Sequence, residues 1–425
     1  MELLKKYIRR YLMRHPKLRV RVREIHVAQK QRKYRKAAAS QPIDEKLVIF
    51  ETFMGRQYGD NPRAIYECML RDPRFDDFHF VWVLNDAAKA ADIPGAGRFE
   101  TVALHSGRYY DLYAKAKYVI TNSNLDYGII KRRGQVFLQT WHGTPLKRLR
   151  CDIEAGSGNA INSLEEIRSK NNLDVIRYDY FISPSPFASG KFASAFRLTQ
   201  LGLENILIET GYPRNDLLYH FDEDFARAQK KALGIPEDKK VILYAPTFRD
   251  NQHNGAGYVY ELALDFDRLR QALGDEYVVL LRVHYFVAEQ FDFDQARGFV
   301  YDVSSLDDIT PLYTISDLLI TDYSSVFFDY ANLRRPMIFY MYDLAAYADD
   351  IRGFYIDLAE LPGPIVETED ALIEAIRSVD NNAADYQEKY NVFCEKYNGL
   401  EDGHASERVI DIMFREEGAA DKTQD

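Results

Sequence analysis

Residues 136–147 read VFLQTWHGTPLK: an apolar run of strand character, then a corner holding Trp141, His142, Gly143, Thr144, Pro145 and Lys147. The pattern repeats outward in both directions. Apolar runs fall at LVIF (47–50), FVWVL (80–84), YVIT (118–121), YFIS (180–183), ILIE (206–209), VILY (241–244), VVLLRV (278–283), LLIT (318–321) and MIFY (337–340). Most are β-branched or aromatic and apolar throughout, as strands buried on both faces are. Amphipathic stretches such as FARAQKKALG (225–234) and FDRLRQALG (266–274) lie between them. This alternation predicts an α/β protein with parallel sheets covered by helices. With 425 residues there is room for two or three domains at about 150 residues each. The stretch 216–240 reads as the passage between two α/β units. A last helix around 405–414 packs back, and 416–425 is a disordered tail.

Composition narrows the class. The chain is 46% hydrophobic and 28% charged, which suits a folded protein and excludes collagen, a coiled coil or long disorder. No run of 18 apolar residues offers a membrane span, and the N-terminus does not read as a signal peptide. Cys68, Cys151 and Cys394 are odd in number and lack a CxxC, which argues against a disulfide framework or zinc site and for a reducing, cytosolic compartment. The net charge of −10 hides an asymmetry: Met1–Lys36 carries fourteen Lys/Arg against two acids, so the rest is strongly acidic. An acidic body lacks the basic groove that nucleic-acid binding needs. In the arm, Leu4, Ile8, Tyr11 and Leu12 recur at helical spacing among basic residues, and Pro16 is expected to stop that helix. A basic amphipathic helix can lie on an anionic membrane surface. A solvated tail or a helix docked on the acidic body are the alternatives.

The unusual residues follow the strands, where parallel sheets bind ligands. They are ETFMGRQYGDNP (51–62), NSNLDYG (122–128), TWHGTPLK (140–147), TGYPRND (210–216), APTFRD (245–250), His284 and DYSSVFFD (322–329). Turn chemistry explains their Gly, Pro, Asp, Asn and Ser, but not Trp, His, Arg and Lys. Gly143 lets backbone approach a ligand, Thr144 and Pro145 are expected to open a helix, and Lys147 adds charge. His142 is a functional group there or a satisfied structural histidine. Arg282 and His284, two apart, leave the same face of a strand. A buried arginine needs an anion, either a protein carboxylate or a ligand phosphate. Ser324 and Ser325 start a helix, suited to phosphate or ribose, or Ser324 is a plain N-cap. There is no GxGxxG after the first strand and no GxxxxGK[ST], which disfavours a dinucleotide dehydrogenase or a P-loop ATPase. The pairs Asp265/Asp267 and Asp292/Asp294 have the DxD form of a metal–nucleotide site, though the first opens a helix where Asp is a common cap.

Six motifs in order, WHGTPLK, GYPRND, YAPTFRD, RVHYF, SDLLITDYSSVFFDY and RGFYIDLAELPGP, resemble the CDP-glycerol glycerophosphotransferases over about Lys46–Arg415. The resemblance implies a GT-B fold: two Rossmann-like domains, expected at 41–215 and 216–415, facing a cleft, with the basic arm at 1–40. It implies His142 and His284 as catalytic, and Gly143, Thr144, Pro145, Lys147, Arg214, Pro246, Thr247, Arg282, Ser324, Ser325 and Asp329 as donor-binding. It implies no cofactor and no metal, CDP-glycerol as donor, a lipid-linked or poly(glycerol phosphate) acceptor, and the cytoplasmic face of the cell membrane. A GT-B glycosyltransferase using a nucleotide-sugar shares the fold, a CDP-ribitol enzyme shares the chemistry, and a non-catalytic lipid- or polymer-binding protein could share the scaffold. Intact histidines and arginines count against the last.

Overall fold

The computed structural model describes residues 11, 15–153, 164–247, 253–254, 257–258, 263–283, 296–344 and 353–415. Seven strands make the first sheet: β1 (Asp44–Glu51), β2 (His79–Val83), β3 (Phe99–Val102), β4 (Ala116–Thr121), β5 (Val136–Gln139), β6 (Tyr180–Ser183) and β7 (Leu207–Glu209). Their order is β3-β2-β1-β4-β5-β6-β7, and every pair is parallel. The chain then forms β8 (Lys240–Ala245), a short hairpin β9 (His253–Asn254) and β10 (Gly257–Tyr258), β11 (Tyr277–Leu281), β12 (Val300–Asp302), β13 (Leu318–Thr321), β14 (Met337–Tyr340) and β15 (Ile365–Val366). The second sheet runs β12-β11-β8-β13-β14-β15, again all parallel. Both sheets reverse direction of winding at one point, between β1 and β4 in the first and between β8 and β13 in the second. Crevices for ligands open at such points, beyond the carboxyl ends of the strands. The inner strands read as continuous apolar runs because both faces are covered: YVVLL of β11 and MIFY of β14 are buried at every position.

The helices that matter for the site are α1 (Pro16–Ala38), α2 (Asp60–Arg71), α3 (Gly107–Lys115), α4 (Val326–Tyr330), α5 (Val379–Asn398) and α6 (Ala405–Met413). Pro16 opens α1, at a position that needs no N–H; Leu4, Ile8 and Leu12, of the helix it is expected to stop, lie outside the described residues. The basic arm is therefore not a separate unit over its whole length. Tyr34 and Ala38 sit in the core of the first domain, and the Tyr34 hydroxyl donates to the Tyr113 carbonyl on α3 (3.0 Å). Arg19 pairs with Glu166 and Lys30 with Asp126, both at 2.8 Å.

The chain crosses between domains twice. The first crossing follows β7, between Tyr212 in the first domain's core and Leu218 in the second's. The second follows α5, whose Tyr390, Phe393 and Tyr397 belong to the second domain's core. Helix α6 then returns: Val409, Ile410 and Met413 pack with Phe50, Tyr66 and Trp82 of the first domain. The expected second domain, 216–415, thus loses its last helix to the first, because the apolar face of α6 completes that core. Asp216, at the first crossing, accepts from the Ala405 and Ser406 amides (2.9 and 2.8 Å) and caps α6, so one carboxylate clamps both crossings together. Among the described residues no helix is long and apolar enough to cross a membrane.

Candidate active site

The two domains face each other across a cavity of about 480 Å³ beyond the carboxyl ends of β5, β8, β11 and β13. Its first-domain wall is the corner 141–149 after β5. Its second-domain wall is built from Pro246 and Thr247 after β8, Arg282 after β11, and Tyr323, Ser324 and Ser325 after β13. Ten of the thirteen residues expected at the site line this one cavity: His142, Gly143, Thr144, Pro145, Lys147, Pro246, Thr247, Arg282, Ser324 and Ser325 lie on it, Arg214 and Asp329 behind it, and His284 lies outside the described residues.

The corner after β5 does not open a helix, as Thr144 and Pro145 suggested. It runs extended into the second domain. Lys147 bridges to Phe354 as an antiparallel partner, the Tyr355 amide donates to the Leu146 carbonyl (2.8 Å), and the Arg148 amide to the Gly353 carbonyl (3.0 Å). Leu146 is 4% exposed and belongs to the second domain's apolar core. Backbone pairing across the seam satisfies the amides that a helix would have used. Gly143 is required by close approach: a Cβ there would stand 2.9 Å from the Ser325 hydroxyl of the opposite wall.

His142 is fixed by what its ring touches. Nδ1 lies 3.0 Å from the Asn122 carbonyl, which can only accept, so Nδ1 carries the proton and Nε2 keeps its lone pair. Trp141 stacks on the ring at 4.2 Å, with its backbone held at φ +52°, a costly conformation for so bulky a residue. The ring is open on the cleft side yet crowded by the mass of both domains. That crowding lowers its pKa below 6.5; the Asn122 carbonyl and Asp60 oppose the fall, and Arg214 and Arg150 add to it. His142 is a neutral base at neutral pH.

On the other wall, the Asp322 carboxylate accepts from the amides of Thr247 and Tyr323 (2.8 and 2.5 Å), tying the corners after β8 and β13 together. Arg282 donates to the carbonyls of Val303 (2.7 Å) and Leu306 (2.5 Å), and among the described residues no carboxylate pairs with it. Burial accordingly pulls its pKa down from the usual arginine value. It is a desolvated cation on a ligand cavity, the setting in which an anion is bound. Ser325 occupies the cap position of α4, but neither serine hydroxyl caps the helix, so plain capping by Ser324 is not what these side chains do.

Arg214 and Asp329, both expected at the donor, hold each other. Arg214 Nη2 reaches Asp329 at 2.8 Å and Nη1 reaches Asp60 at 2.6 Å. A guanidinium clamped by two carboxylates, one from each domain, is a bridge behind the wall. Sequence reading did not single out Asp60, Asn61 or Asn122; the only signal was their place after β1 and β4. Asp265 accepts from the amides of Asp267 and Arg268, so that DxD pair is a helix cap, while Asp292 and Asp294 lie outside the described residues. No group of three potential ligands that could hold a metal ion occurs among the described residues.

A family model described as CDP-Glycerol:Poly(glycerophosphate) glycerophosphotransferase matches residues 33–415. The chain is 43% identical over 384 residues to a teichoic acid poly(glycerol phosphate) polymerase of Bacillus subtilis, covering 89% of itself but only half the length of that relative. It is 40% identical over 380 residues to a teichoic acid glycerol-phosphate transferase of Staphylococcus aureus, covering 88% of itself and 94% of the relative. Solved structures of the wall teichoic acid polymerase TagF, including a variant soaked with CDPG, superpose with a TM-score of 0.82 at 34% identity, over 94% of this chain and 97% of that one.

Proposed function

Because the chain belongs to the CDP-glycerol:poly(glycerophosphate) glycerophosphotransferase family, we propose that it transfers glycerol phosphate from CDP-glycerol to a hydroxyl of a membrane-associated acceptor in teichoic acid or related polymer synthesis. The observation that carries the reading is His142: a neutral imidazole of fixed tautomer, with Nε2 open to a cavity whose far wall presents Arg282, Ser324 and Ser325. The acceptor hydroxyl attacks the β-phosphorus of the donor and its proton passes to Nε2. The bond from that phosphorus to the oxygen bridging the two phosphates breaks, and CMP leaves. Charge developing on the phosphoryl oxygens and on CMP falls to Arg282, to Lys147, and to His284, which follows Arg282 by two residues in the sequence. Pro246 and Thr247, at the end of β8, are assigned to the nucleotide side. Arg214 and Asp329 serve by holding the walls in register.

The membrane side of the reading rests on α1. Leu18, Val22 and Ile25 lie 41, 45 and 59% exposed at spacings of four and three, on a helix rich in Arg and Lys. An exposed apolar stripe within a basic helix suits the surface of an anionic bilayer. The cytoplasmic face follows from a nucleotide-activated donor.

The test is a donor panel. CDP-glycerol, CDP-ribitol and several nucleotide-sugars are incubated with the protein and a lipid-linked acceptor, and nucleotide release is measured. CMP from CDP-glycerol at the highest kcat/KM supports the reading; turnover of a nucleotide-sugar alone replaces it with a glycosyltransferase.

A further inference from the structure

The corners after β1 and β4, rich in Asn and Asp, do not line the cavity, yet they contain a connected set of buried polar groups. Asn122 is fully buried at the end of β4. Its carbonyl receives the Nδ1 proton of His142 (3.0 Å), its Oδ1 receives the Phe53 amide (2.8 Å), and its Nδ2 donates to Asp60 Oδ2 (2.6 Å). An amide N–H on one side and a carboxylate on the other leave the Asn122 side chain one orientation. Asp60 opens α2 at φ +60°, a conformation a non-glycine residue keeps only when its surroundings hold it. Its Oδ1 receives the Asn61 amide (2.8 Å) and Arg214 Nη1 (2.6 Å). Asn61 Nδ2 donates to the Thr140 carbonyl (3.2 Å) and lies 3.4 Å from the Trp141 carbonyl, just ahead of His142, while its Oδ1 receives the Arg214 amide (3.1 Å). Arg214 Nη2 then reaches Asp329 on α4, the helix that begins at Ser324 and Ser325 of the opposite wall.

We propose that Asp60 and Asn122 are positioning residues for His142, and that the Asp60–Arg214–Asp329 bridge sets the distance from that histidine to the phosphate-binding wall. The inference rests on the reading of His142 as the base. Its physical basis is economy of motion. Among the described residues the imidazole has one hydrogen bond, to a carbonyl whose own residue is held by a carboxylate that a guanidinium ties to the other domain. The links from Asn122 through Asp60 and Arg214 to Asp329 are buried, and a buried polar link that loses its partner shifts rather than solvates. A change of about 1 Å in the base can cost roughly 100-fold in rate. The charged groups that act on His142 are Asp60, which favours its imidazolium, and Arg214 and Arg150, which oppose it.

The experiment compares the full chain with Asp60→Asn and Arg214→Lys. CMP release from CDP-glycerol is measured as kcat and KM across pH, donor affinity by calorimetry, and folding by circular dichroism. For Asp60→Asn, which keeps the shape and removes the charge, kcat is expected to fall about 100-fold while KM and donor affinity stay within about threefold. The acid limb of kcat/KM should move to lower pH, because the carboxylate that favours the imidazolium is gone; a merely structural role would leave that limb in place. Arg214→Lys keeps one cation but not two simultaneous carboxylate pairs, and should lose about tenfold in kcat with the limb unmoved. If Asp60→Asn does not fold, Arg214→Lys decides alone on its kcat. Near-normal kcat in the folded variants, or loss of donor affinity by tenfold or more at unchanged kcat, would overturn the inference and assign the cluster to stability or to the donor. A wild-type protein that releases no CMP from CDP-glycerol would sink the functional reading itself, an outcome separate from either.

Discussion

Replacing Leu146 by alanine removes the side chain that the first domain inserts into the core of the second. The backbone of the strap stays: the Tyr355-to-Leu146 and Arg148-to-Gly353 hydrogen bonds do not involve side chains. What is lost is the burial of three carbons on a residue 4% exposed, about 2.4 kcal/mol at roughly 0.8 kcal/mol per methylene, and a cavity term brings the total to about 3 kcal/mol. Because the leucine comes from one domain and its surroundings from the other, the loss falls on the seam as well as on the second core. Urea unfolding can separate the two. Both tryptophans, Trp82 and Trp141, lie in the first domain, so fluorescence follows that domain while far-ultraviolet circular dichroism follows both. In Leu146→Ala the dichroism transition should move to lower urea and part from the fluorescence transition, and kcat/KM should drop because the walls are held less firmly. Coincident transitions within about 0.5 kcal/mol of wild type would refute the idea that this corner fastens the domains.

Three further outcomes follow from the geometry. If both residues contact the donor phosphates as proposed, His284→Ala and Arg282→Ala should each weaken CDP-glycerol binding about tenfold or more by calorimetry; unchanged affinity would take both off the donor. Substituting Leu18, Val22 and Ile25 together by serine should leave unfolding unchanged, because all three are exposed, and should reduce co-sedimentation with anionic liposomes at low salt; equal sedimentation would remove α1 from the membrane reading. Glu51 is buried between the hydroxyls of Tyr113 (2.7 Å) and Tyr109 (3.1 Å), and burial pushes its pKa up to about 7. A carboxyl raised in the folded state contributes stability that is complete below about pH 4.5 and lost as pH rises through 7, roughly 3 kcal/mol in all. Glu51→Gln should flatten the stability profile between pH 5 and 8, and an unaltered slope would show that the carboxyl is not the source.

The ten strands read from apolar runs are all strands, because a strand buried on both faces must be apolar at every position, and that leaves a direct trace in sequence. The ones missed have no such trace. FETV of β3 is polar at its centre and buried only at Val102 on an edge, β12 has three residues, and β9, β10 and β15 have two each. Proline is compatible with a helix start and hostile to a helix interior, so the sequence alone does not show that Pro16 opens α1. At the site, residues that face the cavity were legible, since Trp, His, Arg and Lys are out of place in a turn. Residues acting from behind were not. Asp60 and Asn122 look like turn formers, and only the meeting of the corners after β1, β4 and β7 shows that they connect His142 to Arg214. The same meeting places Arg214 in a bridge between the two domains.

The central claim is that His142 removes the acceptor proton while the opposite wall holds the donor. Its most direct test is CMP release with incorporation of labelled glycerol phosphate, for wild type and His142→Ala, alongside calorimetric binding of CDP-glycerol. Wild type should release one CMP per glycerol phosphate incorporated, with an acid limb below pH 6.5 where the imidazole protonates. His142→Ala should bind the donor nearly as well and lose about 10²–10⁴-fold in turnover. Near-normal turnover in that variant, or lost donor binding in place of lost turnover, would contradict the account.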